Sequence, residues 1–223
     1  MSKALRSTGS RGPYDSTPIF EHIASELRER GYSLVDDAIP EEMADELFVR
    51  ISTLKQDDFF PAGIGRARNQ MLNNFVRRDE IHWLESGNQI ERSWLEWIEQ
   101  LRIHLNRRLL LGLFSYEGHF AHYEPGAFYK KHVDAFRGES NRILSVVLYL
   151  NWSWQAQDGG ELILYPENSN NIIERVMPRM ARLAVFLSEE FPHEVLPANR
   201  DRYSIAGWFR VNTSTADRVD PPV

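Results

Sequence analysis

Two residues two positions apart, His132 and Asp134, are the first candidates for chemistry in the sequence. They lie in FYKKHVDAF, whose pattern predicts a strand, and side chains two positions apart on a strand share one face. An imidazole and a carboxylate on one face can bind a divalent metal ion. Seven His and twelve Asp residues supply such a pair by chance almost as often as not, so a strand-end salt bridge is the default interpretation.

Two later residues strengthen the metal-site interpretation. His193 follows His132 by 61 positions and Arg202 follows nine positions later. Both fall on segments that an eight-stranded jelly roll would bring to the same mouth of the barrel. Two His and one Asp leave three positions of an octahedral iron(II) ion open, as in non-haem iron oxygenases. The planar guanidinium of Arg202 fits the far carboxylate of 2-oxoglutarate, to which Tyr149 can donate a hydrogen bond.

The segments after Gly112 predict the fold that positions these residues. They are short, apolar and separated by turn residues, which favours an antiparallel sandwich or barrel over βαβ units. We expect a mainly β protein, a double-stranded β-helix of the jelly-roll, cupin-like kind, packed on N-terminal helices. The eight segments are GHFAHYEPG, FYKKHVDAF, RILSVVLYLN, GGELILYP, IIERVMP, RLAVFLS, FPHEVLPA and RYSIAGWFR.

Three amphipathic helices are predicted before the β segments. The first begins at Ser16, whose hydroxyl is expected to cap it, and ends at Gly31. A strand from Tyr32 to Ile39 separates it from a second helix that starts at Pro40. The third extends from about 89 to 110, and its tryptophans are expected in the core.

Length and composition predict one domain. The chain has 223 residues and is 42% hydrophobic, which suffices for one sizeable core. We expect helical support at 16–111, a jelly-roll core at 112–211, and disordered tails at 1–15 and 212–223.

Composition also excludes several kinds of protein. With no Cys there are no disulfides, zinc-thiolate sites or cysteine nucleophiles. The net charge of −6 argues against nucleic acid as the main partner. The absence of a signal core or a long apolar stretch predicts a cytoplasmic protein without a membrane partner. The oligomeric state cannot be predicted.

Four segments resemble a known family: YEPGAFYKKHVD, RILSVVLYLN, DGGELILY and FPHEVLPANRDRYSIAGWFR. They are similar to 2-oxoglutarate oxygenases of the prolyl hydroxylase type, in particular the hypoxia-inducible-factor prolyl hydroxylases of animals and their pseudomonad relatives. The resemblance covers about 30–210 and is strongest from 117. It implies Fe(II), 2-oxoglutarate and O2 as cofactors and co-substrates, with ascorbate as a stimulant. It also implies 4-hydroxylation of an exposed prolyl loop in a partner protein, with elongation factor Tu as the candidate.

The resemblance assigns further residues around the metal. Tyr123 matches a tyrosine that reaches the iron-bound co-substrate. Tyr129 matches an aromatic residue beside the substrate proline, and Arg142 and Trp208 match residues lining the same pocket.

A substrate-binding pair is implied further towards the N-terminus. Arg77 with Asp79 resembles the Arg-x-Asp pair that ends a mobile finger loop in the animal enzymes. The loop at about 56–76 would then be the finger that closes over a peptide.

Three other functions stay open at this point. A hydroxylase of a small metabolite or of another amino-acid side chain would use the same iron site. A non-catalytic cupin-like metal-binding module would need neither Arg202 nor Tyr149, and Arg202 would then form an ion pair with Asp201 or Glu194. Nucleic-acid demethylation is disfavoured by the acidic charge.

The other five histidines have no such context. We expect them on the surface or hydrogen-bonded in the core. They are His22, His82, His104, His119 and His122.

Overall fold

The structure is a computed structural model, and it describes residues 15–61, 77–135 and 141–212. Most of both predicted tails and of the predicted finger loop lies outside these residues. The helices are α1 (Thr17–Arg30), α2 (Glu41–Thr53) and α3 (Gln89–Leu109). The strands are β1 (Tyr32–Val35), β2 (Phe60–Pro61), β3 (Glu80–Trp83), β4 (Leu113–Tyr123), β5 (Tyr129–His132), β6 (Arg142–Tyr149), β7 (Leu162–Leu164), β8 (Glu174–Val176), β9 (Leu183–Leu187), β10 (His193–Val195) and β11 (Arg202–Val211).

The strands form two antiparallel sheets. The larger has the order β1-β9-β6-β11-β4-β3-β2 and the smaller has the order β5-β10-β7-β8. Along the chain from β4 to β11 the strands alternate between the two sheets, except that β7 and β8 form a hairpin within the smaller sheet, and this is the arrangement of a jelly roll. Each of the eight segments predicted after Gly112 overlaps one of these strands, so the predicted fold class is confirmed; β4 begins five residues before its predicted segment.

Two hydrophobic clusters divide the interior. The first fills the space between the helices and the larger sheet, and it contains the tryptophans of α3, Trp94 and Trp97, as predicted. The second lies between the two sheets, where Tyr149 of the larger sheet packs with Leu164 and Val195 of the smaller one. One face of the larger sheet therefore meets the helices, and the other faces the barrel interior.

The start of α1 differs from the prediction. Gly31 ends the helix in the left-handed conformation, with φ 78°, as expected. Ser16, however, makes no capping bond, because its buried hydroxyl accepts a hydrogen bond from the Trp97 indole at 2.9 Å. The backbone N–H of Thr17 donates instead to the Asp15 carboxylate at 3.0 Å.

Strand β1 is shorter than predicted. It pairs with β9 from Tyr32 to Val35. Asp37 then adopts φ 51°, a left-handed turn conformation that ends the pairing before Ile39. No helix in the described part of the chain is long and apolar enough to cross a lipid bilayer.

Candidate active site

The structure brings His132, Asp134 and His193 together at one end of the smaller sheet. His132 ends β5 and His193 begins β10, and the two are direct partners in the β5–β10 pairing. Their Nε2 atoms each lie 3.5 Å from an oxygen of Asp134. One ligand atom from each residue lies within 4.8 Å of the others, which is the spacing of a metal site.

Backbone carbonyls orient both imidazoles. His132 Nδ1 lies 2.8 Å from the carbonyl of Lys130, and His193 Nδ1 lies 3.0 Å from that of Phe191. Because a carbonyl only accepts, each Nδ1 carries the proton and each Nε2 presents a lone pair to the metal position. Burial lowers the pKa of His193 to about 4, so this ring stays neutral as a metal ligand must.

Two serines that were not predicted from the sequence support the Asp134 carboxylate. Ser145 donates to Asp134 at 2.6 Å and lies 2.9 Å from the Ser188 hydroxyl. Burial by itself raises the pKa of Asp134. The electrostatic interaction with His193, which is protonated at the acid pH where a carboxyl group titrates, and the hydrogen bond from Ser145 outweigh this effect and hold that pKa well below its usual value. Asp134 is therefore an ionised ligand. The only sequence signal for Ser145 was its position four residues before Tyr149 on the same strand face.

Arg202 is a buried cation at the other end of the barrel interior. Its side chain is on β11, and the residue is 1% exposed. Nε donates to the Gly160 carbonyl at 2.8 Å and Nη1 lies 3.4 Å from the Ser204 hydroxyl. The guanidinium carbon lies 4.9 Å from the ring centre of Tyr123 and 5.2 Å from that of Tyr149.

The alternative ion pairs of Arg202 are not formed. Asp201 accepts a hydrogen bond from His122 at 2.8 Å, and Glu194 accepts one from Tyr165. Within the described ranges no carboxylate reaches Arg202, and a buried unpaired guanidinium is costly. The site therefore fits a ligand that carries its own carboxylate.

Tyr149 is the second group that such a carboxylate would need. Its hydroxyl is buried and has no hydrogen-bond partner among the described residues. Burial raises the pKa of Tyr149 to about 12, although Arg202 and Arg182 oppose that rise, so the hydroxyl keeps its proton as a donor. An orphaned donor beside a buried guanidinium matches the distal carboxylate of 2-oxoglutarate.

Tyr129 lies directly beside the metal ligands. Its ring stacks on His132 at a centroid distance of 3.6 Å, and Arg77 lies 4.4 Å over the ring of Tyr129. Arg77 makes a two-bond ion pair of 2.7 and 2.5 Å with Asp79, which is buried. The predicted pair of Arg77 and Asp79, which directly precedes β3, therefore lies beside the metal ligands and contacts Tyr129.

Arg142 and Trp208 form a second wall. The guanidinium carbon of Arg142 lies 3.5 Å from the Trp208 ring centre. Glu117, which is opposite Trp208 in the β4–β11 pairing, accepts from Arg142 at 2.8 Å and from Arg210 at 3.4 Å. Glu117 was not predicted from the sequence, because only the strand register brings it beside Arg142.

The remaining histidines divide into two groups. Four follow the prediction: His22 is exposed, and His82, His104 and His122 form hydrogen bonds with Asp58, Glu21 and Asp201. For His119 the prediction is wrong, because it is buried and its ring forms no hydrogen bond within residues 15–61, 77–135 and 141–212.

A triad of two His and one Asp inside a double-stranded β-helix is the arrangement of non-haem iron oxygenases. Comparison with known proteins agrees: the family model of the 2OG-Fe(II) oxygenase superfamily matches residues 118–210. A Pseudomonas putida prolyl-4-hydroxylase is 37% identical, with a TM-score of 0.77, over 86% of this chain and 98% of that one. The chain belongs to the 2OG-Fe(II) oxygenase superfamily, whose members use Fe(II), 2-oxoglutarate and O2.

The other relatives confirm the resemblance to prolyl hydroxylases. A Trichoplax adhaerens prolyl hydroxylase, solved with a hypoxia-inducible-factor peptide, is 26% identical with a TM-score of 0.77, over 87% of this chain and 90% of that one. The hypoxia-inducible factor prolyl hydroxylase of Caenorhabditis elegans is 28% identical over 86% of this chain and 28% of its own length. Human Egl nine homolog 1 is 28% identical over 85% of this chain and 46% of its own length. The chain spans less than half the length of these two curated relatives.

Proposed function

We propose that this oxygenase hydroxylates C4 of a prolyl residue in an exposed loop of a partner protein. The single observation that carries this is the 37% identity with the Pseudomonas putida prolyl-4-hydroxylase, which extends over 98% of that chain. Elongation factor Tu, which the sequence resemblance suggested, is the first candidate substrate. Such a substrate requires a cytoplasmic enzyme.

The proposed metal ligands and the proposed co-substrate-binding residues lie at two different ends of the barrel interior. His132 and His193, through Nε2, and the Asp134 carboxylate would hold iron(II). Arg202 and Tyr149 would hold the distal carboxylate of 2-oxoglutarate, which gives both groups the partner they lack. When bound, iron(II) and 2-oxoglutarate activate dioxygen and deliver one oxygen atom to a substrate C–H bond, with release of succinate and carbon dioxide.

The surroundings suit an apolar, ring-shaped substrate residue. Tyr129 is stacked on a metal ligand, so a group that packs on the exposed part of this side chain lies beside the reacting centre. Trp208, stacked under Arg142, provides a second flat wall. A prolyl residue has no backbone N–H, so its recognition depends on packing of its ring and on its carbonyl as an acceptor.

The apolar cluster between the sheets keeps water from the co-substrate end. Tyr123 and Tyr149 are buried with Leu162 and Leu164 of β7. Electrostatic contacts to Arg202 are stronger in this dry interior than they would be in water.

The test is hydroxylation of a purified candidate by the full-length enzyme. We expect succinate release that depends on iron(II), 2-oxoglutarate and elongation factor Tu, and a gain of one oxygen atom on one proline by peptide mass spectrometry. His132→Ala should lose iron binding and turnover, because it removes a ligand of the metal. His22→Ala, which changes an exposed histidine, is the matched control.

The outcome separates the other functions. Succinate release with a free metabolite but with no prolyl protein of the cell would refute the protein substrate. Iron binding without 2-oxoglutarate turnover under any condition would identify a metal-binding module instead. Turnover retained by His132→Ala would refute the iron site.

A further inference from the structure

His119 is a buried imidazole that the iron and co-substrate sites do not use. It lies on β4 and is 3% exposed, and neither ring nitrogen has a hydrogen-bond partner among the described residues. Two indoles enclose it. The centroid of Trp83 is 5.1 Å away in a T-shaped contact, and that of Trp208 is 5.6 Å away at 46°.

The indole N–H of Trp208 is also buried, and no group in the described part of the chain accepts a hydrogen bond from it. In the β4–β11 pairing, Ala206 is opposite His119 and Trp208 is opposite Glu117. His119 and Trp208 are therefore diagonal neighbours on one face of the larger sheet. The pair Tyr123 and Arg202 lies on that same face, which is the face of the active site.

The unpartnered nitrogens of His119 and Trp208, on the active-site face of the larger sheet, are expected to form hydrogen bonds with a ligand. Leaving a buried donor or acceptor unpaired costs about 1–3 kcal/mol, and native structures contain few of them. Burial, with a further contribution from the positive charge of Arg77, lowers the pKa of His119 to about 3. The neutral ring has one N–H donor and one acceptor nitrogen, so with the Trp208 N–H the pair offers two donors and one acceptor.

We propose that His119 and Trp208 form a hydrogen-bonding subsite for one peptide unit of the substrate, adjacent to the target prolyl residue. In this subsite an N–H of the pair donates to a substrate carbonyl, and the unprotonated nitrogen of His119 accepts from a substrate backbone N–H. This inference rests on the proposed protein substrate.

The chemistry of the pair favours a peptide unit over an anion. A carboxylate or phosphate offers only acceptors and would leave the acceptor nitrogen of His119 unpaired. A peptide unit offers one carbonyl acceptor and one N–H donor, which matches the pair. The subsite therefore favours a prolyl residue within a peptide chain over free proline, because the carboxylate of free proline offers only acceptors.

Trp83 is the group that a peptide would displace. It is opposite His119 in the β3–β4 pairing, and its indole, 44% exposed, lies against the imidazole. An exposed side chain over a buried polar group can move at little cost in packed surface. We therefore expect the environment of Trp83 to change when the substrate binds.

Two substitutions separate hydrogen bonding from ring packing. His119→Phe keeps a ring but loses both nitrogens, and we expect it to raise KM for the prolyl protein about tenfold, the loss of one hydrogen bond that leaves its partner unpaired. His119→Gln keeps a neutral donor and acceptor without the ring, and we expect KM within about threefold of wild type. KM for 2-oxoglutarate, measured in parallel, reports whether either change reaches the co-substrate end.

The matched control is His122→Phe. This is the same substitution on the same strand, but His122 lies on the opposite face, where it stacks on Tyr203 at 4.8 Å. We expect no change in KM for the prolyl protein from this control.

A binding experiment gives a second readout that needs no turnover. In the full-length enzyme with zinc in place of iron and with 2-oxoglutarate, we expect a prolyl peptide of the candidate substrate to shift the indole N–H resonance of Trp208 and the ring nitrogen resonances of His119. Free proline should shift neither.

The results distinguish this inference from the proposed function. If wild type hydroxylates a prolyl protein and His119→Phe has the wild-type KM, the subsite is wrong and the proposed function stands. Equal increases in KM for His119→Phe and His119→Gln would assign the ring a packing role and also refute the subsite. A wild-type enzyme that hydroxylates no prolyl residue would refute the proposed function itself.

Discussion

At the residue scale, the co-substrate end of the site contains two polar groups whose interactions are incomplete among the described residues. Arg202 is a buried cation that pairs with no carboxylate of the described residues. The buried hydroxyl of Tyr149 forms no hydrogen bond with any described residue. Such groups destabilise the folded protein unless a ligand satisfies them. The interactions that Arg202 and Tyr149 do not make within the protein can therefore stabilise the bound co-substrate.

Tyr149→Phe tests this directly. Removing the hydroxyl should raise KM for 2-oxoglutarate about tenfold, because a hydrogen bond to a charged carboxylate contributes about 1.5–3 kcal/mol. The same change should leave the free energy of unfolding of the ligand-free protein equal or slightly higher, since it removes an unpaired buried group. Steady-state kinetics and urea unfolding measure the two effects, and a parallel loss of stability and affinity would contradict this role of Tyr149.

The ligands were predictable from sequence and their supports were not. His132 ends β5 and Asp134 follows two positions later, and this spacing together with the later positions of His193 and Arg202 predicts the site. Ser145 reaches Asp134 from another strand, and Glu117 reaches Arg142 in the same way. The first contact depends on how the two sheets pack and the second on sheet register, and a single sequence fixes neither.

At the element scale, the central strands β4 and β11 are held together by a close approach that only glycine permits. Gly118 and Gly207 are opposite each other, and the side chain of Tyr116 crosses them on the helix side. A Cβ atom on Gly207 would lie 2.3 Å from the Tyr116 hydroxyl oxygen and 2.6 Å from the backbone oxygen of Glu117. These two strands carry Tyr123 and Arg202, so their spacing also affects the active site.

Gly207→Ala should therefore destabilise the protein. Overpacking of this kind costs about 1–3 kcal/mol, which corresponds to a decrease in Tm of several degrees for a chain of this size. Thermal unfolding of Gly207→Ala beside Gly87→Ala is the measurement, because a Cβ on Gly87 meets no atom within 4 Å. Adding Tyr116→Phe should restore part of the loss, since it removes the closest atom. Equal Tm values for the two glycine variants would refute the steric argument.

Hydrophobic patterning located the helices and strands but not their end contacts. Eight predicted β segments all overlap strands because alternation and turn residues are local signals. The Ser16 cap failed because a residue 81 positions away, Trp97, uses its hydroxyl. Strand β1 ended early because Asp37 turns the chain, which no pattern of hydrophobic residues predicts.

At the scale of the whole molecule, the barrel encloses ionisable groups whose titration couples pH to folding. His119 is the clearest of these outside the metal ligands, since its pKa in the folded protein is about 3, against an ordinary value of 6.5. The unfolded chain thus binds a proton at a higher pH than the folded protein. The stabilising effect of the neutral ring is complete above about pH 6.5 and is lost as the pH falls towards 3.

The metal-free protein should accordingly lose stability in mild acid, and His119→Phe should reduce that loss. Between pH 7 and pH 5 the pKa difference corresponds to about 2 kcal/mol of unfolding free energy, from about 1.4 kcal/mol per pH unit. Urea unfolding of wild type and His119→Phe at both pH values measures it. His193 is present in both proteins, so its contribution cancels in the comparison. Tyr116→Phe is the control, because burial raises the pKa of that tyrosine further from this range, and it should retain the wild-type pH dependence. If His119→Phe and wild type lose the same free energy between the two pH values, His119 does not carry the acid sensitivity.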